Sequence, residues 1–195
     1  MKKKAIIISI KGYHLSFKEQ TLIKKEKPWG LILFKRNISS MKQLIKLTRS
    51  IRFLFKDKKF PIMIDEEGGS VCRLSNFIDN SPYSQKLFAD LYNLNKKKGL
   101  SVYKNYLFSM CKLLNKLGLN INTVPVLDLK YKKTHKIIAD RVYSSEIKTV
   151  KILGSLCSKI YKKNKIGTVI KHIPGHGTAK SDSHLVLPIV NTSYK

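Results

Sequence analysis

Acidic residues are scarce in this chain: 12 Asp+Glu stand against 39 Lys+Arg in 195 residues, a formal net charge of +27. Cysteine is scarce too. Cys72, Cys111 and Cys157 lie far apart without CxxC spacing, which argues against a disulfide framework or a cysteine zinc cluster and fits a reducing compartment. No segment approaches the roughly 20 apolar residues of a membrane span. Met1-Lys2-Lys3-Lys4 followed by Ala5–Ile10 mimics a signal peptide, but the apolar run stops at Lys11 and no small-x-small cleavage site follows. A first strand is the better reading, and the expectation is a cytoplasmic protein with no membrane insertion. The first turn, Lys11-Gly12-Tyr13-His14, lacks GxGxxG and the chain holds no GxxxxGK[ST], which disfavours nucleotide binding through those motifs. No cofactor is expected.

What is abundant is lysine. An excess of this size can mark a nucleic-acid binder. Here the lysines are spread over almost every segment, with neither an arginine-rich block nor an aromatic platform. A solvated basic surface with loose polyanion affinity and no specific nucleic-acid partner is therefore preferred, and a basic nucleic-acid-binding protein is the alternative. The 43% hydrophobic fraction and the length suit a folded single domain over residues 1–195.

Buried strand-like runs alternate with amphipathic stretches. Ala5–Ile10, Trp29–Phe34, Pro61–Ile64, Ile121–Val126 and Ile166–Ile173 read as strands. Helices are predicted from Ser16 to before Pro28, from Ser39 or Ser40 through Phe55, over Leu100–Leu117, and from Ser144 or Ser145 to about Asn164. The segment around Pro82 reads as loose. Alternation of this kind describes a parallel α/β protein. Polar clusters follow the strands at Lys35-Arg36-Asn37, Asp65-Glu66, Asp128 and Lys171-His172, as a site at the carboxyl ends of parallel strands requires.

The densest cluster runs from Gly167 to His184 and breaks at Pro174-Gly175 and Gly177, where no strand continues. It holds three of the five histidines: His172, His176 and His184. Their H-x3-H-x7-H spacing could suit a metal, but there is no HExxH helix, cysteine partner or defined carboxylate ligand, and no metal is assigned. His176 reads as a turn-shaping residue and Asp128 as a loop stabiliser; Asp65-Glu66-Glu67 taken alone reads as a solvated loop, but the Gly68-Gly69 that follows raises a functional reading.

Lys171-His172-Ile173-Pro174-Gly175-His176-Gly177, then Asp182-Ser183-His184, resembles the KH(F)PGHG…DSH signature of glycoside hydrolase family 3, in its bacterial β-N-acetylhexosaminidase (β-N-acetylglucosaminidase) branch. Gly30–Asn37 (GLILFKRN) is similar to the family's GVILFxRN. Ile64–Arg73 (IDEEGGSVCR) is similar to VDQEGGRVxR, and Pro125–Asp128 to PVLD. Asp140-Arg141 with Ser144-Ser145 echoes GDRSFGSD. The departures are Ser70 for the usual Arg, Ala139 for Gly and Ile173 for Phe.

The resemblance implies a (β/α)8 TIM-barrel-type fold, incomplete here, with about five of eight β/α units and a shortened carboxyl side. It implies a retaining hydrolase that releases terminal β-linked N-acetylglucosamine from cell-wall muropeptides, and hence peptidoglycan recycling. His184 and Asp182 would form the acid/base pair, while Asp65, Arg141, Lys171 and His172 would bind an N-acetylglucosamine-containing saccharide. The family nucleophile is an aspartate in an SDDL-like segment that is not among these residues. The expectations that follow are conditional activity, a catalytically inactive sugar-binding remnant as the alternative, and a complementing polypeptide or self-association to close the barrel.

Overall fold

The computed structural model describes residues 3–132, 134, 138, 140–179 and 186–189. Five parallel strands form one sheet in sequence order: β1 (Lys4–Ile8), β2 (Pro28–Leu33), β3 (Ile62–Ile64), β4 (Ile121–Asn122) and β5 (Gly167–Thr168). The helices are α1 (Phe17–Glu26), α2 (Met41–Phe55), α3 (Gln85–Leu94), α4 (Lys96–Leu117) and α5 (Ile147–Lys163). This is an incomplete (β/α)8-barrel type of fold, each strand following its neighbour through a helical crossover.

Local chemistry explains most helix boundaries. Ser16 and Glu19 form the reciprocal capping box that starts α1. Ser40, rather than Ser39, caps α2 by accepting from the Gln43 N–H at 3.2 Å. The helix then buries Leu44, Leu47 and Ile51, each worth about 1.5–3 kcal/mol when withdrawn from water. α4 starts four residues before the predicted Leu100, because Asn95 accepts from the Lys98 N–H and caps there. At the start of α5 the predicted serine cap is replaced by Glu146, and Ser144 Oγ accepts from the Glu146 N–H instead.

Three differences from the sequence reading have physical causes. The stretch read as loose contains α3, which Ser84 caps and which buries Gln85, Phe88, Ala89 and Tyr92. Among the described residues β1 lies at the edge of the sheet, and Ile6 and Ile7 are 45% and 44% exposed. The fourth and fifth strands are shorter than their apolar runs, since Pro125 has no N–H to give to a ladder. Pairing then resumes as a single parallel bridge between Val126 and Lys171, and the next residue, His172, meets Asp128.

The core lies between the sheet and the helix layer, with Leu31, Leu33, Ile62, Ile64, Leu114 and Leu153 fully buried. Asn122, also fully buried, stitches β4 to the loop after β3. It accepts from the Glu66 N–H and donates to the Glu66 carbonyl and the Tyr161 hydroxyl. That stitch fixes the first residues beyond β3, where the candidate site begins.

Candidate active site

The segment after β3 turns sharply and sends successive carboxylates in different directions. Glu66 points into the protein, where it accepts from the Arg73 and Leu74 N–H groups at 2.7 and 3.0 Å and from Asn80 at 2.8 Å. Burial raises its pKa, with those donors and the Arg73 charge opposing the shift. Glu66 is a structural anchor for the loop. Asp65 and Glu67 face the rim.

Lys171 lies between those two. Its Nζ is 2.5 Å from Glu67 Oε1 and 3.3 Å from Asp65 Oδ1, and it donates to Thr123 Oγ1 at 2.9 Å. The Thr123 hydroxyl in turn donates to Asp65. Arg141 reaches the same Glu67 with two prongs, Nε to Oε2 at 2.8 Å and Nη2 to Oε1 at 2.9 Å, a geometry available to guanidinium and not to ammonium. Gln85 fixes the backbone behind it by donating to the Val126 and Arg141 carbonyls.

His172 completes the cluster. Asp128 Oδ2 sits 2.5 Å from His172 Nδ1 and also accepts from the His172 N–H at 3.3 Å, while Asp128 Oδ1 accepts from the His176 N–H at 2.6 Å. On the other side of the ring, Nε2 is 3.3 Å from Arg141 Nη2. Guanidinium has no acceptor, so Nε2 must accept and the ring proton belongs on Nδ1, donated to Asp128. The network fixes the tautomer.

Opposite charges are paired across the cluster. Three carboxylates, Asp65, Glu67 and Asp128, face the cations Arg73, Lys171 and Arg141, and Glu66 behind them also feels the Arg73 charge. Burial works against ionisation of Asp65, but Lys171, the Thr123 hydroxyl and Arg73 outweigh it and hold the carboxyl below its ordinary value. Asp128 behaves alike: burial is outweighed by His172 and by the His176 N–H. The Arg141 guanidinium is desolvated, yet Glu67 raises its pKa further. Exposure divides the labour. The Glu67 and Asp128 side chains are 1% and 0% exposed and serve as inner supports, whereas Asp65 and His172 keep 18% and 30% and can reach a ligand.

A cleft of about 370 Å³ opens beside His172, lined by Asp128, Tyr131, Lys171 and the turn from Ile173 to Thr178. The turn depends on Gly177, where an added Cβ would lie 1.9 Å from the Leu129 carbonyl oxygen. Among the described residues, no group of three His, Cys, Asp or Glu side chains could hold a metal ion, and no helix is long and apolar enough to cross a membrane.

Of the six residues singled out in the sequence, Asp65, Arg141, Lys171 and His172 come together in one network. Asp182 and His184 lie outside the described residues. Asp128, read from sequence as a rim residue and loop stabiliser, holds the backbone of His172 and His176, whereas Glu67 and Gln85 are site residues that the sequence reading does not assign. The signal for Glu67 was its place two residues beyond Asp65, on the same post-strand turn; Gln85 gave none.

A parallel β/α-barrel sheet carrying a charged, hydrogen-bonded cluster beyond its strand ends places the chain among the barrel enzymes' folds. The chain belongs to glycosyl hydrolase family 3: the family model described as "Glycosyl hydrolase family 3 N terminal domain" matches residues 3–195. It is 29% identical over 184 residues to a beta-hexosaminidase of Thioalkalivibrio sulfidiphilus, covering 94% of this chain and 52% of that protein. A beta-hexosaminidase of Actinobacillus succinogenes is 33% identical over 186 residues, with 95% and 52% covered. Native NagZ from Neisseria gonorrhoeae superposes with a TM-score of 0.86 at 26% identity, covering 95% of this chain and 54% of that one. The same protein in complex with N-trifluoroacetyl-D-glucosamine gives a TM-score of 0.84. The chain spans about half the length of the curated relatives it matches.

Proposed function

We propose that the rim cluster binds a terminal β-linked N-acetylglucosamine of cell-wall muropeptides, and that it is the sugar-binding half of a retaining β-N-acetylhexosaminidase site. The observation that carries this reading is the joining of Asp65, Arg141, Lys171 and His172 into one ion-paired and hydrogen-bonded network held from behind by Glu67 and Asp128. Such a network presents acceptors and donors in fixed directions, which suits hydroxyl and amide recognition. Its support among relatives is their description as beta-hexosaminidases and the glucosamine derivative bound by a similar structure.

In this reading His184 donates a proton to the departing glycosidic oxygen and later takes one from water, with Asp182 holding its tautomer and stabilising its charged form. Retention requires a nucleophile that forms a glycosyl-enzyme between those two steps. No aspartate within these 195 residues is assigned that role, so the hydrolytic step is proposed for a protein that contains the family's nucleophile segment. Binding without turnover is the second reading: the four proposed residues that the described network brings together are all ones proposed for holding the sugar. The place proposed for the reaction is the cytoplasm.

Release of p-nitrophenol from its N-acetyl-β-glucosaminide separates the two readings. Turnover that falls about 10²–10⁴-fold in His184→Ala supports hydrolysis by the proposed pair. Turnover indifferent to His184→Ala contradicts it, and saturable binding with no turnover leaves the second reading.

A further inference from the structure

A groove of about 430 Å³ runs between α1 and α2, from His14 and Leu15 at one end to Phe53 and Lys56 at the other. Both walls are described helices, and it shares no residue with the rim cluster. On α2, Lys46, Leu47, Ser50, Phe53 and Leu54 fall on one face by three- and four-residue steps. On α1, Gln20 and Lys24 line it, and Phe17 shares their face at i, i+3, i+7 spacing. Its floor is apolar, formed by Leu15, Leu47 and Leu54. Phe53 at its mouth is 87% exposed and Phe17 is 84% exposed, although covering a phenylalanine is worth about 1.5–3 kcal/mol. Its charge has one sign. Lys24, Lys46 and Lys56 line it; among the described residues no Asp or Glu does, and none of the three lysines has an ion-pair partner. The other polar side chains are spent inside the wall: Gln20 donates to the Leu15 carbonyl at 3.1 Å and Ser50 to the Leu47 carbonyl at 2.8 Å.

We propose that this groove docks an acidic amphipathic helix of a partner protein, its apolar side chains on the leucine floor and its carboxylates on the three lysines. Charge and shape select that occupant. The α2 wall from Lys46 to Phe55 is about 14 Å long, enough for two to three turns of a helix laid along it. Nucleic acid would satisfy the lysines and leave the leucines and phenylalanines uncovered. An anionic bilayer, flat on this scale, would take the tips of Phe17 and Phe53 and leave the floor between them unfilled. A second copy has no such helix to offer. The described helices hold three acids, Glu19, Glu26 and Asp90, and each is engaged already: in the α1 capping box, with Lys4 and with Lys86. The inference is independent of the proposed reaction, and it is read by binding instead of turnover.

The test is fluorescence anisotropy of the full chain at about 0.15 M salt, where exposed charges are well screened. The probe is a labelled helical peptide of about 14 residues, with leucine on one face at i, i+3, i+7 spacing and glutamate flanking it. The expected result is saturable binding about tenfold or more tighter than that of a scrambled peptide of the same composition. Phe53→Ser and Lys46→Glu should each weaken it about tenfold or more. Lys112→Glu, an equal change of net charge at an exposed position on α4, should stay within about twofold of wild type. Phe53 and Lys46 are exposed, so both variants should melt close to wild type, and either one alone carries the test. No saturable binding, a scrambled peptide that binds as tightly, or equal effects of Lys46→Glu and Lys112→Glu overturns the proposal. So does binding to phosphatidylglycerol vesicles or to double-stranded DNA that survives this salt and is lost in Phe53→Ser, since the groove would then serve a different partner.

Discussion

Glu67 receives Arg141 through two parallel N–H···O contacts of 2.8 and 2.9 Å, and its side chain is only 1% exposed. The same carboxylate takes Lys171 at 2.5 Å. One buried anion therefore sets the positions of two of the proposed sugar ligands.

Removing that anion takes away the carboxylate that Arg141 and Lys171 share, while Lys171 keeps Asp65 at 3.3 Å. Glu67→Gln is expected to cost about 3–5 kcal/mol, the range for breaking a buried pair from one side. Urea denaturation of wild type and variant reads it. A loss below about 1 kcal/mol would mean that Arg141 and Lys171 find other partners easily.

Acid should weaken the site through Asp128 and Asp65. Both carboxyls have folded-state pKa values below their ordinary value of 3.8. A depressed folded pKa gives stability that is fully present above the unfolded value and is lost as pH falls through the folded one. Stability should therefore drop below about pH 4, and Asp128→Asn should flatten that drop. Glu66 runs the other way: its raised pKa favours the fold below the ordinary value of 4.5 and loses that contribution as pH rises. Denaturant midpoints measured from pH 7 to pH 2 for both proteins check the difference.

The glycines should separate by what a methyl group would meet. At Gly177 an added Cβ would lie 1.9 Å from the Leu129 carbonyl oxygen, whereas at Gly12 it would meet nothing within 4 Å. Gly177→Ala is expected to destabilise the protein by about 1–3 kcal/mol and to displace the turn from His176 to Thr178. Gly12→Ala should stay within about 0.5 kcal/mol of wild type. Equal thermal shifts for the two would contradict the close approach.

The +27 charge predicts polyanion binding without selectivity. Fluorescence anisotropy with DNA of two unrelated sequences should show equal affinities that vanish near physiological salt. A preference that survives 0.15 M salt would instead favour the nucleic-acid-binding alternative.

Much of this was legible in the residues because the signals were local. Ser16 and Glu19 announced α1, and the three- and four-residue recurrence of Leu44, Leu47 and Ile51 announced α2. Asp65, Lys171 and His172 could be paired because each follows a strand, and strand ends meet on one rim. What escaped was non-local. Glu67 looks like any solvated loop acid until Arg141, 74 residues away, is folded against it. Gln85 gains meaning only from the Val126 and Arg141 carbonyls it holds. β1 read as buried because its apolar run is continuous, and a run of residues cannot say whether a neighbouring strand lies beside it.

Binding of N-acetylglucosamine to the purified chain, measured by calorimetry beside glucose and repeated with Lys171→Ala, tests the central claim most directly. The account predicts saturable binding of the N-acetylated sugar, weaker binding of glucose, and a loss of about tenfold or more in Lys171→Ala, the worth of a hydrogen bond to a charged group. Equal binding of the two sugars, or an affinity that Lys171→Ala leaves unchanged, would contradict it.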